Sequence, residues 1–180
     1  MNSFLLLIHI LGVVIGLGAA FASDMLFFHF LSDKKVVKHE QKILELMSKM
    51  VWAGFTVFTL SGLALMAQDL TKYLGRPIFL LKLSLVFIIF LNGIFLNHYI
   101  TPKIKSFTLK KRDKKSSILL TNLAIISGWL SILTWVYTLG LAITKGYKQP
   151  VIFLVAIYLI LFAGGAIVAL HLKPLYRKLH

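Results

Sequence analysis

Three ionisable residues stand out within the long apolar runs of the 180-residue sequence: His9, Asp24 and Lys82. An ionisable side chain inside a lipid bilayer is costly, so each of them is a functional candidate that needs a compensating partner. Imidazole is a metal ligand, a carboxylate pairs with cations or relays protons, and an amine neutralises acidic groups or shuttles protons. We therefore predict His9 as a metal ligand and Lys82 and Asp24 as catalytic residues.

Small residues share a helix face with His9. At 100° per residue, Gly12 and Gly16 fall within about 60° of the His9 direction. One interpretation is close packing of two helices through the Gly12-x-x-x-Gly16 pattern. The other is a groove in which a porphyrin lies, with His9 as an axial ligand of its iron. Gly93 lies on nearly the same face of a later helix as Lys82 and offers similar room for a cofactor.

Three further histidines, His29, His98 and His171, each lie near a helix end on the same predicted side of the membrane. They are either ordinary interfacial residues or include an axial pair for a second haem. The sequence has no cysteine, which excludes disulfides and thiolate metal ligands. Metal chemistry in this chain must therefore use histidine, methionine, carboxylate or amine groups.

The elements that position these residues are long apolar helices. The chain is 58% hydrophobic and 14% charged, with a mean hydropathy of +0.85, which excludes an ordinary soluble domain of this length. A membrane-spanning helix needs about 20 mostly apolar residues. Five runs qualify and predict an all-α bundle of five transmembrane helices in one domain over 1–180: residues 3–31, 47–67, 78–100, 118–144 and 151–172. Apolar residues at near-helical spacing over 36–50 predict that the second helix begins before its span.

The excess of 20 Lys and Arg over 6 Asp and Glu reflects topology rather than nucleic-acid binding. No basic-aromatic recognition motif is present, and the cations fall in short segments between the apolar runs. Fifteen of them lie in segments 32–49 and 101–117 and in the C-terminal tail, against four in the alternate loops. The positive-inside rule then places the N-terminus outside and the C-terminus in the cytoplasm.

The sequence resembles the HemJ-type protoporphyrinogen oxidases and CopD-like membrane proteins over about a third of its length. The similar segments are 7–11 (LIHIL), 16–20 (GLGAA) and 26–29 (LFFH) in the first helix, and 79–83 (FLLKL) in the third. The resemblance implies a membrane helical bundle with haem b, in which His9 and Lys82 match the intramembrane His and Lys of the family. The aromatic-rich stretch and Pro-Arg pair of the oxidases are absent, and residues 19–25 stand there instead.

The leading interpretation is a haem-b-binding redox protein of the bacterial inner membrane that exchanges electrons with quinone and a second substrate such as a porphyrin. His9 would ligate the iron and Lys82 would pair with a propionate or a proton. A second interpretation is a transporter or metal-resistance permease with His9, Asp24 and Lys82 along its path. Because five spans do not divide into two repeats, an inverted-repeat carrier would require a homodimer. A third is a helper subunit whose polar residues only fix helix packing.

Overall fold

The computed structural model describes residues 3–32, 38–103, 114–143 and 150–176. Throughout these ranges the regular structure is helical, and no strand occurs. The elements in chain order are α1 (Ser3–Ser32), α2 (Lys38–Ala67), the short α3 (Leu70–Leu74), α4 (Pro77–Phe95), a π-helical segment (Leu96–Ile100), α5 (Lys114–Ile143) and α6 (Val151–Tyr176). Most cations of segment 101–117 lie outside the described residues.

Local sequence accounts for the helix boundaries between α2 and α4. Asp69 caps the short α3, because its carboxylate accepts a hydrogen bond from the Lys72 backbone N–H at 3.2 Å. Pro77 occupies the first position of α4, where its missing N–H costs nothing and its fixed φ suits a helix. The predicted early start of α2 is confirmed from Lys38 onward, and residues 36 and 37 lie outside the described ranges.

Within the described residues, five helices are long and apolar enough to cross a membrane, as the sequence predicts. Their bounds are Ser3–Phe27, Lys38–Ala67, Pro77–Lys103, Ile118–Ile143 and Val151–His171. Large apolar side chains lie exposed along these spans, among them Val14, Phe87 and Ile160. Such a surface suits lipid rather than water, because helices satisfy their backbone hydrogen bonds internally and need only apolar contact outside. The direction of insertion stays a prediction.

The bundle is organised around α5, which packs against α1, α4 and α6. The most extensive contact joins α1 to α2. Trp135 of α5 is 1% exposed and lies in a core cluster with Phe55 and Phe58 of α2. Aromatic residues of α5 could have formed an interfacial belt, but Trp135 fills the centre of the bundle instead.

Polar side chains also join the helices. Asn92 of α4 donates from Nδ2 to the Ser127 carbonyl of α5 at 3.0 Å, and Ser48 of α2 donates to Asn97 Oδ1 at 3.2 Å. Thr134 of α5 and Tyr158 of α6 share a buried hydrogen bond of 2.8 Å between their hydroxyl groups. Each bond satisfies polar atoms that have no water partner in a hydrocarbon environment, which holds neighbouring helices in register.

Candidate functional sites at His9 and Asp24

The His9 imidazole is half-buried against α2 and anchored through one nitrogen. Its Nδ1 lies 2.9 Å from the Phe58 carbonyl and 3.2 Å from Ser61 Oγ. A carbonyl only accepts, so Nδ1 carries the proton that forms this bond. The Phe58 ring lies against the imidazole with centroids 4.7 Å apart. Gly62 leaves space for the imidazole ring, because a Cβ at this position would come 3.0 Å from His9 Cε1.

Lys82 of α4 lies in the same region of the bundle as His9. Its side chain is half-buried and lies within electrostatic range of the imidazole. The structure therefore places these two residues, which the sequence singled out, at the same end of the bundle.

The glycine stripe below His9 forms a contact between α1 and α2. A Cβ on Gly12 would lie 2.5 Å from the Phe58 backbone nitrogen, and one on Gly54 would collide with the Gly16 backbone. Gly16 also faces the Trp135 ring, which a Cβ would approach to 2.6 Å. Protein atoms thus occupy the face that a flat ligand would need. This packing leaves no space for a porphyrin lying along Gly12 and Gly16.

Asp24 lies at the opposite end of α1 from His9, on the wall of a cavity of about 130 Å³. Its Oδ2 atom is buried and has no hydrogen-bond partner among the described residues. The Nε1 atom of Trp135, which also lines the cavity, is likewise buried and unpartnered within the described ranges. Asp24 Oδ1 lies against Gly128, where a Cβ would come within 3.1 Å. Glycine at 128 therefore makes the space that this carboxylate occupies.

The cavity is bordered by α1, α2, α4 with its π-helical extension, and α5. Its polar lining includes hydroxyl groups and side-chain amides that the sequence reasoning did not group together: Ser23, Gln41, Ser48, Asn97, Thr101 and Ser131. The π-helical turn over Leu96–Ile100 shifts the helical register where Asn97 meets the cavity. One signal was present in the sequence, since polar residues recur in several apolar runs at the depth of Asp24.

Gly93 lines this cavity and packs against the Trp52 ring, 3.3 Å from the position of a Cβ. It lies at the Asp24 end, so it does not add room beside Lys82. His29, His98 and His171 have exposed side chains, and His171 bonds back to the Ile167 carbonyl of its own helix at 3.0 Å. In the part of the chain that the structure describes, no three His, Asp or Glu residues gather as a metal site.

Comparison of the chain with models of protein families, with curated proteins and with solved structures finds no match. The geometry of the two sites is therefore the basis for assigning a function.

Proposed function

We propose that this chain is a multi-pass protein of the bacterial inner membrane that binds haem b through His9 and exchanges electrons with a membrane quinone. The observation that carries the proposal is the hydrogen bond between His9 Nδ1 and the Phe58 carbonyl. Metal-ligating histidines characteristically donate their second ring N–H to a carbonyl or carboxylate, which fixes the tautomer and the ring orientation.

The tautomer determines which nitrogen is available to a metal. With the proton on Nδ1, the neutral ring carries its free lone pair on Nε2. Within the described ranges, both hydrogen bonds of the ring use Nδ1. The Phe58 ring and Gly62 limit rotation of the imidazole, so Nε2 would be presented to iron at little entropic cost.

Lys82 supports the assignment of a haem site because its ammonium group would pair with a haem propionate. A haem propionate beside the bundle is an anion in a region of low dielectric, and a nearby ammonium would stabilise it. Because helix packing fills the Gly12 and Gly16 face, the porphyrin would lie on another side of the His9 ring. Haem b at this position would supply a one-electron redox centre whose potential depends on burial and ligation.

The resemblance of residues 7–11 and 79–83 to HemJ-type and CopD-like proteins supports the same site, since His9 and Lys82 are the matching positions. The excess of cations in alternate segments supports an orientation with the His9 end outside and the Asp24 end toward the cytoplasm. Electron exchange would then occur near the outer surface of the bundle.

The test is the visible absorption spectrum of two histidine variants purified from haem-replete cells. His9→Ala should lose or shift the Soret band, whereas His39→Ala, which changes an exposed histidine of α2, should retain the wild-type spectrum. Circular dichroism of both variants reports whether the bundle is intact. A folded His9→Ala protein with an unchanged spectrum would exclude His9 as the ligand.

A further inference from the structure

We propose that the cavity at Asp24 is a binding site for ammonium or a short primary alkylammonium ion. This site lies at the other end of α1 from His9, and the inference does not depend on haem binding. The cavity joins four features that such a cation needs: a negative charge, several neutral acceptors, apolar walls and enough volume.

The acidic group is the Asp24 carboxyl, which a bound cation would hold in its charged form. Its buried Oδ2 has no hydrogen-bond partner among the described residues, and none of the described ion pairs includes Asp24. A buried charge is costly unless it is paired, and a carboxylate in a bilayer protein normally faces a cation or a polar cavity. A cationic ligand would supply the missing partner.

Neutral acceptors surround the same space. Ser23, Thr101 and Ser131 line the cavity from three helices: α1, the helix that extends α4, and α5. Thr101 uses its own hydrogen in a bond to the Leu96 carbonyl at 2.9 Å, so its oxygen lone pairs remain as acceptors. An ammonium group has several N–H donors and can bond to the carboxylate and to such hydroxyls simultaneously.

The apolar walls favour an alkylammonium over a metal ion. Phe27, Trp52, Ile89 and Trp135 contribute ring and aliphatic surface to the cavity. Aromatic faces attract organic cations, whereas a calcium ion needs about six to eight oxygen ligands, including carboxylates. Among the described residues, no cluster of three acidic or histidine side chains exists to provide them.

The volume of about 130 Å³ sets the size of the ligand. A single water needs roughly 10–15 Å³ of such space, so the cavity accommodates a small cation with water beside it. The unpartnered Trp135 N–H needs an acceptor, and a water next to the cation would provide one. A quaternary ammonium such as choline has no N–H donor, so its charged group cannot hydrogen-bond to the carboxylate and the hydroxyl groups.

Equilibrium binding of radiolabelled methylammonium to the detergent-purified full-length protein tests this proposal. We expect saturable binding that ammonium chloride displaces and that equal concentrations of sodium or choline chloride do not. Asp24→Asn should weaken binding at least about tenfold, since truncating one partner of a buried charge pair is costly. Asp69→Asn is the matched control, because Asp69 is exposed and its replacement retains helix-capping ability.

A second variant covers the case in which Asp24→Asn does not fold. Thr101→Val keeps the side-chain shape and removes an acceptor, so it should weaken methylammonium binding several-fold in a folded protein. Three outcomes would overturn the proposal: no saturable binding by the wild type, equal binding by folded Asp24→Asn, or displacement by sodium as effective as by ammonium.

Discussion

His9 Nδ1 of α1 lies 2.9 Å from the backbone carbonyl of Phe58 in α2, so one contact joins the two helices and orients the imidazole. Ser61 stands 3.2 Å from the same nitrogen, and Gly62 leaves space for the ring edge. The residues that would present Nε2 to iron are thus also those that hold α1 on α2. Pairs of matched variants are therefore needed to separate an effect on iron ligation by His9 from an effect on the packing of α1 against α2.

Gly62→Ala should reduce haem occupancy several-fold. The added methyl group would lie 3.0 Å from His9 Cε1, which is closer than ordinary carbon contacts, so the ring would have to move from the Phe58 carbonyl. Gly164→Ala is the control, since a Cβ there meets no atom within 4 Å. The measurement is haem content per chain after purification. Equal haem occupancy in the two variants would show that the contact at Gly62 does not orient the His9 ring for ligation.

Gly12→Ala should destabilise the bundle, because its methyl group would press on the Phe58 backbone and separate α1 from α2. Overpacking of this kind costs about 1–3 kcal/mol. Gly18→Ala on the same helix meets nothing within 4 Å and should be neutral or stabilising by up to about 1 kcal/mol. The free energy of unfolding in mixed detergent micelles checks both values. A similar loss in the two variants would contradict the packing role of the glycine stripe.

The sequence was most informative where one physical effect dominates. Lipid forces long apolar runs into helices, so the five spans and the early start of α2 were predictable. The Gly12-x-x-x-Gly16 pattern left packing and ligand binding open, because small residues permit close approach of either a helix or a flat molecule. The structure places a helix there, since Gly54 of α2 supplies a second small residue opposite Gly16.

The Asp24 cavity was not predictable from the same reasoning. Helical periodicity fixes the direction of a side chain around its own axis but not the rotation of neighbouring helices. Trp135 could equally have faced lipid headgroups. The π-helical turn at Asn97 also departs from the 100° per residue of a regular α-helix, which the sequence reasoning assumed. Only the packed bundle shows that Asp24, Trp135 and Asn97 line one space.

Lys82→Met should lower the reduction potential of bound haem by tens of millivolts. Oxidation adds positive charge at the iron, so a nearby ammonium disfavours the oxidised state, and its removal lets oxidation occur at lower potential. Lys82→Arg retains the charge and should remain near the wild-type potential. Lys72→Met, at an exposed residue paired with Asp69, is the distant control. Spectroelectrochemical titration gives the reduction potentials of the three variants. If the potential of Lys82→Met equals that of the wild type, Lys82 does not lie beside the haem.

Tyr158→Phe should destabilise the contact between α5 and α6. Its hydroxyl lies 2.8 Å from the hydroxyl of the fully buried Thr134. Interhelical bonds of this type contribute roughly 0.6 to 1.7 kcal/mol in membrane proteins. The loss should shrink toward zero in a Thr134→Val background, which a double-mutant cycle of unfolding free energies measures. An equal loss in both backgrounds would mean that the tyrosine hydroxyl stabilises the protein through another partner.

The visible absorption spectrum of the wild-type protein, purified from cells supplied with a haem precursor, is the most direct test of the central claim. We predict a Soret band and, after reduction, the α-band of a b-type haem, with occupancy that rises toward saturation as haem is added to the detergent-solubilised protein. A folded preparation that shows neither band and takes up no added haem would contradict the assignment of His9 as an iron ligand.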